Sequence, residues 1–229
     1  MTTISNYSQK RFSFALFFLL FYLAWTLRGT VLYSVLDSSF SSESARIVFS
    51  NLVKILLWLI PALIYVMRID RGNPWKVLRI NTPLDWRGVQ IAELASLIFF
   101  LATFTLEYFI RGRTLLPLIH ATPLAMLKEL AVVFLSPVTE EIFFRGLVLS
   151  KFLENHWLPI ANILQSLLFT AVHWPNWIWT QGLTSNLIIL SISIFVLGLL
   201  LGWIAFRTNS IWPAIGIHIL NNFLAAFLG

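Results

Sequence analysis

Seven stretches of almost uninterrupted apolar sequence, near 13–36, 46–67, 89–110, 122–152, 157–174, 185–206 and 211–228, constrain this chain more than any other feature. Most reach the roughly 20 residues that carry an α-helix across a hydrocarbon layer. Within such a layer every backbone N–H and C=O must be satisfied by the protein itself, which leaves helices or closed barrels. A barrel strand would alternate apolar and polar residues, whereas segments 12–25 and 187–206 are apolar on nearly every side. The expected fold is all-α, a polytopic transmembrane helical bundle of about seven spans. Charged residues make up 11% and hydrophobic residues 58%, a balance that excludes an ordinary water-exposed surface. The helices and their short loops use nearly the whole length, so residues 1–229 read as a single transmembrane domain. Any chemistry is expected inside the bundle.

Charge position gives the expected orientation. Lys10 and Arg11 precede the first run, and Arg68, Arg71, Lys76, Arg79 and Arg87 crowd the second connection. The positive-inside bias puts both on the cytoplasmic side, with Lys151 and Arg207 also inside and Arg111 and Arg113 outside. The N-terminus is then cytoplasmic and the C-terminus outside. The first run continues to about Tyr33 without a small-x-small cleavage site, so it reads as an uncleaved helix. The net charge of +6 suits anionic headgroups and no nucleic-acid module is recognisable, so membrane lipids, not nucleic acid, are the expected partners. Pro74, Pro83, Gly72 and Gly88 mark the second connection as a surface segment with a short interfacial helix. With no cysteine, thiolate chemistry is excluded and histidines and carboxylates must carry any reaction.

Ionisable groups are costly in mid-membrane and are functional candidates by default. Pro137 is expected to leave the fourth helix kinked or discontinuous just before Glu140. Glu141 and Arg145 lie one turn apart and can neutralise each other, while Glu140 projects about 100° away and is free to face something else. Phe169 and His173 share a face of the fifth run, and His218 and Asn222 share a face of the last. One carboxylate, two imidazoles and an amide can activate a water and stabilise an oxyanion, or hold a zinc-like divalent metal with an open position.

The order Glu-Glu-x-x-x-Arg, Phe-x-x-x-His, His-x-x-x-Asn resembles the CPBP intramembrane proteases, which include type II CAAX prenyl endopeptidases and Abi-type bacteriocin-processing or immunity proteins. The resemblance covers about residues 120–229. It implies an intramembrane endopeptidase acting on a membrane-associated, CAAX-type prenylated or other, peptide or protein substrate. By it, Glu140 and His173 polarise the attacking water, His218 and Asn222 form the oxyanion hole, and Glu141, Arg145 and Phe169 give structural support. A metal-dependent version would use Glu140, His173 and His218 as ligands and leave Glu141 as the nearby base, but Glu141 is taken by Arg145. This favours glutamate-activated water, with a divalent metal such as zinc as the alternative cofactor. A polar cavity reaching the cytoplasmic side would supply the water. His173 falls nearer the outer end of its span than Glu140 and His218 do, so tilt or a shifted helix boundary must bring it to them. The competing reading is a non-catalytic membrane interaction or bacteriocin-immunity protein, and a proton-coupled transporter ranks behind both for want of an inverted repeat.

Other polar residues have simpler expectations. Glu107 with Arg111 reads as an end-of-helix ion pair, and Arg28, Lys54, Glu93, Lys128 and Glu129 as snorkelling side chains near span ends. His120 and His156 read as loop or terminal residues, and the run Trp174 to Trp179 as an outer aromatic belt.

Overall fold

The computed structural model describes residues 2–32, 35, 39–111 and 130–227. The side chains of Lys10, Arg11, Glu107 and Arg111 lie outside the described set, as do Arg113, His120, Lys128 and Glu129. The described elements are helices. α1 (Thr2–Leu27) continues through a π-helical turn (Arg28–Leu32), and α2 (Glu43–Ile64) through another (Tyr65–Asp70). The short α3 (Pro74–Val77) and long α4 (Trp86–Arg111) follow. α5 covers 131–153 in alternating segments: π-helical Ala131–Leu135, α-helical Ser136–Glu141, π-helical Ile142–Val148 and α-helical Leu149–Leu153. α6 (Leu158–Ala171), α7 (Trp174–Gln181), α8 (Ser185–Arg207) and α9 (Trp212–Phe227) complete the order.

Among the described residues each apolar run is helical over most of its length. Phe12–Val31, Glu43–Asp70 and Ser185–Arg207 are long and apolar enough to cross a membrane. α6 and α9, with 14 and 16 residues, fall short of the ~20 of a full crossing. Leu16, Leu19, Leu20 and Leu23 of α1 and Leu94, Leu97, Ile98 and Leu101 of α4 are exposed. Exposed leucine rows of this kind suit lipid tails and not water.

Proline loosens these helices without breaking them. Pro137 has no N–H to offer the Val133 carbonyl, and the Ser136 N–H bonds to Ala131 O, five residues back. The irregularity expected before Glu140 is therefore a wide turn in a continuous helix. Pro61 in α2 is likewise followed by a π-helical turn.

Two regions hold the bundle together. On α8, Gly198 and Gly202 let α6 approach closely; a Cβ on Gly202 would stand 2.0 Å from Asn162 Oδ1. Asn162 Nδ2 then donates to Leu199 O (2.8 Å) and Gln165 Nε2 to Gly198 O (3.0 Å). At the end of the bundle that carries the basic connection, Leu78 is fully buried, Arg79 donates to Ala205 O (3.2 Å) and Asp85 N–H to Thr208 O (3.1 Å). Lys151 pairs with Asp70 there at 2.5 Å. The connection is thus the expected surface segment with a short helix, pinned to the helix ends by Leu78 and these hydrogen bonds. Between these regions Phe21, Trp58, Phe143, Phe144 and Phe169 form an aromatic core, with Phe21 and Phe143 stacked at 4.2 Å.

Candidate active site

The two adjacent glutamates of α5 face different surroundings. Glu141 is fully buried; its Oε1 accepts from Arg145 Nη1 (2.8 Å) and from His218 Nδ1 (2.7 Å). Arg145, also fully buried, donates on to Gly198 O (3.2 Å) and lies 4.3 Å from the Phe169 ring. Such a pair tolerates burial because each charge has a partner and further hydrogen bonds. Phe169 is fully buried, 5.1 Å from Phe144, 5.2 Å from His173 and 6.0 Å from His218. It is a common wall for both imidazoles.

Glu140 turns the other way, into a cavity of about 460 Å³ that is also lined by His173, His218 and Asn222. That volume is within the ~300–1,000 Å³ typical of ligand sites. The His173 Nδ1 lies 2.8 Å from the Phe169 carbonyl, which can only accept, so Nδ1 carries the proton and Nε2 keeps its lone pair. His218 donates Nδ1–H to Glu141, and its Nε2 lies 3.9 Å from Glu140 Oε2. Asn222 uses one Nδ2 hydrogen on Val132 O (3.1 Å), and Asn221 donates weakly to Asn222 Oδ1 (3.4 Å).

The depth mismatch foreseen for His173 is resolved by α6 itself. At 14 residues it is only about 21 Å long. Its terminal carbonyls are capped from α1: Tyr22 Oη donates to Ala171 O (3.2 Å) and Trp25 Nε1 to Val172 O (2.8 Å). The helix stops there and His173 enters the cavity from the turn beyond it.

Several sequence expectations are corrected. Lys54 does not snorkel: it sits within α2, its side chain is only 13% exposed, and Nζ reaches Glu140 Oε1 at 2.6 Å and Ser136 Oγ at 2.8 Å. Glu140 is therefore not free. Arg28 is also engaged, donating to Ser50 O (3.2 Å) and Ser50 Oγ and lying 4.9 Å from the Trp25 ring. Glu93 is exposed and His156 is an exposed loop residue, as read from the sequence. The aromatic run forms α7, and while Trp179 is exposed, Pro175, Asn176 and Trp177 line the cavity, with Trp177 5.2 Å from the His173 ring. The cavity also takes in Arg28, Glu43 and Arg46, so it lies at the end of the bundle opposite the basic connection and not toward it. Sequence reading missed Lys54 because a lysine in a long apolar helix ordinarily reaches for the interface.

As arranged, Glu140, His173 and His218 do not fit a divalent metal. A cation on Glu140 would meet the Lys54 ammonium already 2.6 Å from that carboxylate, a like charge in a poorly screened site. Among the described residues no group of three His, Asp or Glu is arranged to hold a metal ion.

Residues 122–224 match the family model described as Rce1-like, type II CAAX prenyl endopeptidase Rce1-like. No curated protein and no solved structure matches the chain significantly.

Proposed function

From the match of residues 122–224 to the Rce1-like family model, we propose that the protein is an intramembrane endopeptidase of the CPBP type, acting on membrane-associated substrates. The supporting observation is that Glu140 from α5, His173 from the turn after α6, and His218 and Asn222 from α9 line one cavity while Glu141 and Arg145 are consumed by packing. A water between Glu140 and His173 Nε2 gives a proton to Glu140 as its oxygen attacks the substrate carbonyl carbon. The resulting oxyanion is held by the remaining Asn222 N–H and by the Nε2–H of His218, a ring that takes its second proton from solvent before substrate binds and keeps it through the cycle. The C–N bond then breaks, the proton passes from Glu140 to the leaving nitrogen, and a carboxylic acid and an amine depart. A prenylated CAAX-type chain is one substrate of this class.

Purified protein in proteoliposomes is expected to cleave a membrane-tethered peptide library, and Glu140→Gln to reduce turnover by about 10²–10⁴-fold. Full turnover in Glu140→Gln or His173→Ala ends the proposal. One observation favours the interaction-protein reading: Glu140 is ion-paired with Lys54. That reading requires wild type to show no turnover of any tethered peptide.

By charge distribution the N-terminus is cytoplasmic and the C-terminus outside, which puts the cavity on the outer side. Because the chain has no cysteine, single cysteines introduced at positions 6 and 76 and at the C-terminus report this directly by impermeant labelling. Labelling of position 76 from outside intact cells would invert the assignment.

A further inference from the structure

The cavity has two chemically different walls. α5, α6 and α9 supply Glu140, His173 and His218. The facing wall comes from α1 and α2, outside the family-matched segment: Arg28 from the π-helical turn, and Arg46 and Lys54 from one face of α2, with Glu43 as the acidic residue on that wall. Glu43 stands 3.6 Å from Arg46. Lys54 joins the walls, held by Glu140 at 2.6 Å and Ser136 at 2.8 Å above the Trp58 ring at 5.3 Å.

This joint has a consequence for hydrolysis. When Glu140 takes a proton from water it becomes neutral, and the Lys54 ammonium, 13% exposed, loses its counter-ion. An unpaired buried charge opposes that step. The step is relieved if another anion receives the ammonium, which its flexible four-carbon stem allows. Arg28 and Arg46 on the same wall bias the cavity toward an incoming anion. Beside Arg28, Gly29 leaves open space, since a Cβ there meets nothing within 4 Å.

Resting on the protease reading of this cavity, we infer that Lys54 is a specificity-determining residue that holds Glu140 in the resting enzyme and passes to a substrate carboxylate. Hydrolysis is thereby confined to peptides that bring a carboxylate into the cavity, at the chain end or on a side chain. The same residue shuts the site against neutral segments of neighbouring membrane proteins.

The test uses three membrane-tethered peptides of one sequence: a free C-terminal acid, its carboxamide, and the carboxamide with an aspartate placed after the scissile bond. Wild type is expected to favour an acid over the plain amide by about tenfold to a hundredfold in kcat/KM, the effect of one charge-assisted contact. Which acid is preferred tells a terminal from a side-chain carboxylate. Lys54→Met is expected to bring the acid-to-amide ratio near one, and Lys54→Arg to keep most of it. A purely structural lysine would lower both rates and leave their ratio unchanged. In parallel, a short peptide acid should raise the wild-type Tm by about 2–4 °C more than its amide, and Lys54→Met should abolish the difference. Where Lys54→Met does not fold, the neutral Lys54→Met/Glu140→Gln pair carries the binding measurement. Equal handling of acid and amide by wild type, or a preference that survives in Lys54→Met, overturns the inference. Absence of all turnover in wild type removes the protease reading instead, and the binding measurement still decides the role of Lys54.

Discussion

The two faces of α5 differ in what they leave over for chemistry. On the Glu141 face, Arg145 and His218 reach one oxygen of a fully buried carboxylate, and Gly198 and Phe169 hold Arg145 in turn. On the Glu140 face, a carboxylate with 6% exposure meets Lys54 across a cavity large enough for a ligand. A fully buried charge held by two partners is part of the packing and moves only with the fold. A charge held by one long side chain beside empty volume can exchange that partner. His218 touches both faces, donating to Glu141 while its other nitrogen looks toward Glu140, so the packed face orients a group on the open one.

The largest effect that would break this comparison is on the packed face. Arg145→Met leaves Glu141 buried without its cation and is expected to cost about 3–5 kcal/mol, read as a lower midpoint of denaturation in detergent. A variant as stable as wild type but inactive would move Arg145 into the chemistry and erase the distinction. Next comes Gly198→Val, whose Cβ would meet Ser166 at 3.1 Å and Phe169 at 3.3 Å. It should destabilise by about 1–3 kcal/mol, with the surviving folded fraction retaining the wild-type acid-to-amide ratio. The smallest effect belongs to the open face. Trp177→Ala removes the ring beside His173, worth about 0.5–1.5 kcal/mol, and should raise KM by up to about tenfold with little change in melting temperature. A fall in melting temperature as large as that of Gly198→Val would show that α7 is packing and not cavity wall.

Much of this was legible beforehand for definite reasons. The separation of Glu141 from Glu140 follows from helical geometry, since residues four apart share a face and neighbours do not. The pairing of Glu141 with Arg145 was readable on that basis, as was the shared wall of Phe169 and His173. Gly198 and Gly202 were not singled out, because only the close approach of α6 gives that glycine spacing a meaning. Lys54 was misread because its partner lies 86 positions away in the chain, on a helix that no local rule brings beside it.

The sequence by itself determined that this chain is a bundle of membrane helices, because backbone desolvation leaves an apolar run no other solution. It also singled out Glu140, Glu141, Arg145, His173 and His218 as residues to be accounted for, because ionisable groups are costly in lipid. Tertiary structure alone decided that α1 caps α6 early enough to deliver His173, that the cavity lies opposite the basic connection, and that α2 brings a lysine to Glu140. Those outcomes depend on how helices are set beside one another. In a membrane that is decided by close packing and a few polar contacts between distant residues, which no periodicity along the chain encodes.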